Sequence, residues 1–170
     1  NLFNNFIRSF NKGVVWADQD LKSSNHFYHP VKRKGLFGRK NAMELALEYH
    51  EKALKFWGMQ KYKKAMFYFG ATVHLIQDMT VPQHANIKLL DNHHQYEKYV
   101  SRTYKSINKF NIESGAYLLD SVKDYIRFNS RVALKIYKKF KHIEDGDKRF
   151  YRTTRCSLPL ATRTTAGAMV

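Results

Sequence analysis

The sequence predicts an all-α fold, a single compact multi-helix domain over residues 1–170. Three observations carry that prediction. Apolar residues recur at helical spacing through most of the chain, helix start and stop signals fall between those stripes, and the alternating pattern of half-buried strands is weak everywhere. A chain of 170 residues that is 44% hydrophobic and 15% aromatic has the material for one real core, and neither an internal repeat nor a linker divides it.

The first helix is expected from residue 2 to about residue 11, with Leu2, Phe3, Phe6, Ile7 and Phe10 on one stripe and Gly13 as its stop. After Val14 to Trp16, the Ser, Asn and Asp content from Asp18 to His26 reads as a loop, where functional groups can face a cleft. Pro30 to Arg39 is basic, contains Gly35 and Gly38, and reads as exposed. Asn41 and Glu44 form a capping-box pattern ahead of a second helix over 42–57, ended by Gly58. A third helix over 61–78 is apolar nearly all round, which makes it central. Asn92 is placed to cap a fourth from His93, with Tyr96, Val100, Tyr104 and Ile107 spaced for burial. A long helix from about 113 to 140 ends in lysines that suit a helix C-terminus. Gly146 marks a turn, and a last segment over about 148–169 is expected to kink or restart at Pro159.

Thirty Lys and Arg against fourteen Asp and Glu give a net charge of +16, which favours polyanionic partners such as anionic lipid surfaces or nucleic acid without choosing among them. The lone Cys156 excludes an internal disulfide and a thiolate zinc site, so any metal is held by nitrogen and oxygen. No run of eighteen apolar residues is present, and no signal peptide is visible at residue 1.

The chemistry concentrates in residues 67–84. His74 and Asp78 stand four apart and share a helix face in an apolar run, where an imidazole and a carboxylate are costly unless paired. A hydrogen-bonded core pair would satisfy them, and so would a metal ion. Their company favours metal: Pro82 turns the chain so that His84 returns to the same end, His93 and Glu97 repeat the four-residue spacing, and His26, Asp18 and Asp20 lie upstream in a turn-like stretch. His29, His50, His94 and His142 have no helical carboxylate partner and read as surface or packing residues.

The order Asp18, His26-Phe27-Tyr28, Phe67-Tyr68-Phe69-Gly70 leading to His74-x-x-x-Asp78 with Pro82 and His84, then His93-x-x-x-Glu97, resembles the bacterial zinc-dependent phospholipases C of the phospholipase C/P1 nuclease superfamily. Leu158-Pro159-Leu160-Ala161 through Thr165-Ala166-Gly167 is similar to that family's last helix. The resemblance implies an all-α catalytic domain of that type. It implies hydrolysis of the phosphodiester of phosphatidylcholine-like lipids to diacylglycerol and a phosphorylated headgroup, by a secreted enzyme acting at a phospholipid membrane surface with no obligate protein partner. It also implies that His26, His74 and Asp78 hold one zinc, Asp78 bridging to a neighbour, that His84, His93 and Glu97 hold another, and that Asp18 is the general base, with Asp20 second choice. The family's third zinc takes ligands from its amino terminus, including a Trp through its own amino group. Trp16 cannot stand in for it, so the sequence supports two zinc sites and reads as a catalytic domain truncated at the amino terminus.

Two other readings remain open. A single-strand-specific zinc nuclease of the same superfamily would use the positive charge, although its last ligand pair is H-x-x-x-D, further from the preceding His than His93 and Glu97 are from His84. An inactive, basic, membrane-binding fragment would use the charge alone.

Overall fold

The computed structural model describes residues 2–19, 23–38, 40–87, 92–110 and 114–170. They form α1 (Leu2–Gln19), α2 (Ala42–Gly58), α3 (Tyr62–Asp78), the short α4 (Pro82–Asn86), α5 (His93–Thr103), α6 (Val122–Phe140) and α7 (Gly146–Ala168), with 3-10 turns at Ser23–Asn25, Leu36–Gly38 and Asn108–Phe110. No strand forms among the described residues, and one isolated antiparallel bridge joins His29 to Lys34.

Helix α3 is the centre. Ala65, Met66, Leu75 and Ile76 are buried, as is the run Gly70 to Val73, and the helix packs on α1, α2, α6 and α7. Leu75, Ile76 and Met79 join Ala17, Leu45, Tyr49, Tyr125 and Ile126 in the main core. Each large aliphatic side chain buried there contributes roughly 1.5–3 kcal/mol. A second cluster of Tyr96, Tyr99, Phe110 and Phe150 fastens α5 to α7.

Gly13 does not stop the first helix. α1 continues to Gln19 because Gly13 and Gly70 face each other's helices at backbone contact: a Cβ on Gly13 would stand 1.8 Å from the Phe67 carbonyl oxygen, and one on Gly70 would stand 2.1 Å from that of Phe10. The glycines are there for close helix approach, not for termination. Asp18 therefore sits on the last turn of a helix and not in the loop expected for it.

The Asn41–Glu44 capping box forms, each side chain accepting the other's backbone N–H at 3.1 Å. Asn92 takes the N-cap position expected for it, its carbonyl accepting the Tyr96 N–H at 2.9 Å, but it is left-handed (φ 54) and its side chain bonds no helix N–H. Residues 114–121 are not helical. Gly115 is left-handed, the Tyr117 N–H donates to the Arg163 carbonyl (3.0 Å), and Gly167 leaves room for the Tyr117 backbone against α7. α6 starts after Ser121, which caps it by accepting the Asp124 N–H at 3.2 Å. α7 starts at Gly146 under the Asp145 cap and passes through Pro159 without restarting. The carbonyl that Pro159 cannot bond belongs to Arg155, an exposed residue, so the lost helix hydrogen bond faces solvent and not the core.

Candidate metal centre

The C-terminal end of α3 carries His74 and Asp78 one turn apart. Asp78 is the last helical residue, beside the partial negative charge of the helix end, so its carboxylate is destabilised by the backbone as well as by burial. Around its Oδ2 atom stand three imidazoles: His26 Nδ1 at 2.8 Å, His74 Nε2 at 3.2 Å and His84 Nδ1 at 3.9 Å. The turn after α3 is fixed by Thr80, whose hydroxyl and N–H both donate to the Gln77 carbonyl (2.7 and 2.9 Å). Pro82 then takes the first position of α4, where its missing N–H costs nothing, and α4 brings His84 back toward Asp78.

His26 arrives on the strap between α1 and α2. The Tyr28 N–H donates to the His84 carbonyl (3.2 Å), and the Phe27 ring lies stacked on the His84 ring, 4.6 Å between centroids and 3° between planes. His84 Nδ1 lies 2.8 Å from the His26 carbonyl oxygen. That oxygen can only accept, so Nδ1 carries the proton and Nε2 presents a lone pair. Nε2 points at His93 Nε2, 2.8 Å away, and His93 Nε2 lies 3.2 Å from Glu97 Oε1 on the next turn of α5.

His26, His74 and Asp78 thus form one group of converging donor atoms, and His84, His93 and Glu97 another, each with its atoms within 4.8 Å of one another. A tetrahedral zinc with bonds of 2.0–2.1 Å needs donors about 3.3 Å apart. The separations of 2.8–3.2 Å within each group are close to that. The decisive observation is what these atoms lack. His26 Nε2, His74 Nε2 and Asp78 Oδ2 are buried and make no hydrogen bond: the short approaches to Asp78 Oδ2 lack hydrogen-bond alignment. Buried polar atoms without partners are rare and costly, and a divalent cation held among these three side chains would give such atoms a partner. The residues fit zinc.

The charge states of His84 and Asp78 agree with this, and the negative charge of Asp78 favours a cation beside His74. Burial pushes the His84 pKa down to about 4 against the partial counter-pull of Asp78, so the ring is neutral at pH 7, as a ligand must be. Burial opposes ionisation of Asp78, yet the neighbouring His74 and His84, with contacts from His26 and His74, hold its pKa well below the usual carboxylate range. For His74, burial is outweighed by Asp78 and Asp18, and its pKa is raised. Asp18 is exposed at the end of α1, near enough to His74 to act on it through charge. Asp20 lies outside the described residues. His94 is exposed beside His93, while His29 Nδ1 accepts the N–H groups of Val31 and Lys32 at 3.2 Å and closes a turn.

Sequence reasoning missed Asn129. Fully buried on α6, it donates to the Ile76 carbonyl (2.8 Å) and to the Thr164 hydroxyl (3.1 Å), while Gln77 donates to Thr165 (3.0 Å). These bonds pin the end of α3 that carries Asp78. A polar residue on the buried face of an amphipathic helix was the available signal.

Beside Asp78 and Glu97 opens a cavity of about 780 Å³. Its wall includes Val81, Tyr96, Val100, Tyr104, Leu158 and Met169, and no Lys or Arg lines it among the described residues.

A family model described as zinc dependent phospholipase C matches residues 1–151. Among solved structures, the alpha toxin of Clostridium absonum superposes with a TM-score of 0.82 at 17% identity. An alpha-toxin of Clostridium perfringens from the avian strain SWCP superposes with a TM-score of 0.79 at 16% identity. Each comparison covers 98% of this chain and 53% of the toxin chain, so the chain spans about half the length of those structures and shares their fold. No curated protein sequence matches.

Proposed function

The chain belongs to the zinc dependent phospholipase C family, and from that premise we propose that it hydrolyses the phosphodiester of phosphatidylcholine-like lipids, releasing diacylglycerol and a phosphorylated headgroup. One observation carries the choice of lipid. The candidate ligands Asp78 and Glu97 open into a cavity walled by Val, Leu, Met and Tyr side chains, with no lining cation among the described residues. A groove for single-stranded nucleic acid would combine its aromatic rings with Lys and Arg along the phosphates. None of the described Lys and Arg residues lines this cavity.

In this reading His26, His74 and Asp78 hold one zinc and His84, His93 and Glu97 another. When bound, zinc supplies positive charge to the phosphoryl oxygens and lowers the pKa of a water molecule from 15.7 to roughly 7. The His26 carbonyl and the Phe27 ring hold His84 in the ligating tautomer and orientation. Asn129 and Thr80 fix the position of Asp78 through the backbone around it. Asp18, on the last turn of α1 and close to His74, takes the proton of the attacking water. As the phosphorus–oxygen bond to the glycerol breaks, that proton ends on the diacylglycerol hydroxyl. The apolar cavity receives the glycerol side of the substrate and excludes water from it. In this reading the protein is secreted and works at a phospholipid membrane surface.

Hydrolysis of a short-chain phosphatidylcholine, set against single-stranded DNA with zinc present, tests the assignment. Release of phosphocholine with intact DNA is expected. Cleavage of DNA with no lipid turnover would establish the nuclease instead.

A further inference from the structure

The connection between α1 and α2 carries more than His26. Beyond Tyr28 it folds into a small loop closed at His29 and Lys34: the His29 N–H donates to the Lys34 carbonyl (2.9 Å) and the Arg33 N–H to that of His29 (2.8 Å). Pro30, Gly35 and Leu36 are buried and anchor it. Its outer apolar side chains are not covered, Val31 being 74% exposed and Phe37 77% exposed. Phe37 is also held left-handed, at φ 55, a region that bulky L-residues seldom occupy. Within the folded chain an exposed Phe at that backbone angle gains nothing over Asn or Gly, which points to a role outside the chain.

Lys32, Arg33 and Lys34 are exposed on the same loop. Lys138 of α6 adds to them, since His29, its pKa lowered first by burial, is lowered further by Lys32, Lys138 and Lys34. Apolar tips ringed by cations match the layered chemistry of an anionic bilayer surface, with phosphates outside and acyl chains beneath. Double-stranded nucleic acid would use the cations and leave Phe37 and Val31 in water, and a single strand could stack a base on Phe37 but would leave the aliphatic Val31 uncovered, whereas a bilayer takes both.

We infer that the 29–38 loop is a membrane-docking element: Phe37 and Val31 enter the acyl boundary of an anionic phospholipid surface while Lys32, Arg33, Lys34 and Lys138 meet its phosphates. The choice of lipid as partner rests on the function proposed above. Docking here has a consequence for the site. The loop leaves directly from Phe27 and Tyr28, which are fastened to His84 by a ring stack and a backbone hydrogen bond. A loop seated in lipid therefore holds the metal centre within a few residues of the surface.

Sedimentation with vesicles of equal phosphatidylglycerol and phosphatidylcholine, in chelator so that no lipid is consumed, tests this. Phe37→Asn, which suits the left-handed backbone, is expected to weaken vesicle binding by about tenfold or more, and each of Lys32→Gln and Lys34→Gln by about fivefold. Phe37→Trp adds a reporter at the tip to Trp16 and Trp57, and its emission, taken as the difference from the unsubstituted chain, is expected to shift to the blue on these vesicles and not on single-stranded DNA. Hydrolysis of monomeric short-chain phosphatidylcholine by Phe37→Asn is expected to equal that of the unsubstituted chain. Undiminished vesicle binding by Phe37→Asn, or an indole emission in Phe37→Trp that responds to DNA alone, would overturn the docking assignment whatever the activity. Phe37-dependent vesicle binding by a chain that hydrolyses no lipid would leave docking standing and remove the proposed function.

Discussion

Gly70→Ala sets two physical effects of opposite sign against each other. Helix propensity alone favours alanine within a helix by about 1 kcal/mol. Packing opposes it, because the new Cβ would stand 2.1 Å from the Phe10 carbonyl oxygen and 3.2 Å from the Val14 nitrogen, both backbone atoms of α1 that no side-chain rotation can move. Relief requires α1 and α3 to part by about 1 Å along a contact that also includes Gly13, and overpacking of that kind costs about 3 kcal/mol, the upper end of its usual range. The net expectation is a loss of about 2 kcal/mol, or roughly 6 °C in Tm for a domain of this size. Urea unfolding of the metal-free chain followed by circular dichroism measures it. Gly58→Ala is the control: outside its chain neighbours and its own helix backbone nothing lies within 4 Å of its added Cβ, and stability is expected to be unchanged or slightly raised. The consequence reaches the site, since α1 carries Asp18 and α3 carries His74 and Asp78. A displacement of about 1 Å between such groups can reduce turnover by about 10²-fold. A Gly70→Ala chain as stable as its parent would mean that propensity decides and that the glycine contact does not set the helix spacing.

Two further outcomes follow from the site. In the metal-free protein His84 titrates at about 4 when folded and near 6.5 when unfolded, so its contribution to stability is complete above pH 6.5 and is lost as pH falls from 6.5 toward 4. That loss amounts to about 3 kcal/mol, and His84→Gln is expected to flatten it in urea unfolding at pH 7 and pH 4.5; an equally steep acid loss in the variant would show that other groups carry the dependence. Asp18→Asn is expected to keep its zinc and lose about 10²- to 10⁴-fold in kcat on phosphatidylcholine, and full activity with normal zinc would remove Asp18 as the base.

Much of the site could be read from spacing because the four-residue repeat of a helix is a geometric constant. His74 with Asp78, and His93 with Glu97, must share faces once their segments are helical, and Pro82 must turn the chain between them. Among the described residues, His26, His74 and Asp78 converge in one group and His84, His93 and Glu97 in another. The α2 boundaries were equally legible, through the Asn41–Glu44 box. What failed were signals whose meaning depends on a partner segment. Gly13 resembles a stop in isolation, and only the opposing backbone of α3 reveals it as a contact. Residues 114–121 have helical company on their C-terminal side, yet the Tyr117 N–H bonds the Arg163 carbonyl of α7 and the segment stays out of the helix. Asn129 resembles any amide on a helix until the Ile76 carbonyl appears beside it. The position of Phe27 against His84 was unreadable for the same reason.

The claim beneath all of this is that the converging donors exist to hold zinc. Metal content per chain after equilibration with zinc and gel filtration, measured by plasma mass spectrometry on the unsubstituted chain, Asp78→Asn and His93→Ala, addresses it directly. The account predicts at least two zinc ions in the parent and the loss of about one in His93→Ala, with the other group still loaded. It predicts as large a loss or larger in Asp78→Asn, whose carboxylate lies within 3.9 Å of ring nitrogens from both groups. Parent protein with no zinc, or both variants retaining the full complement, would contradict it.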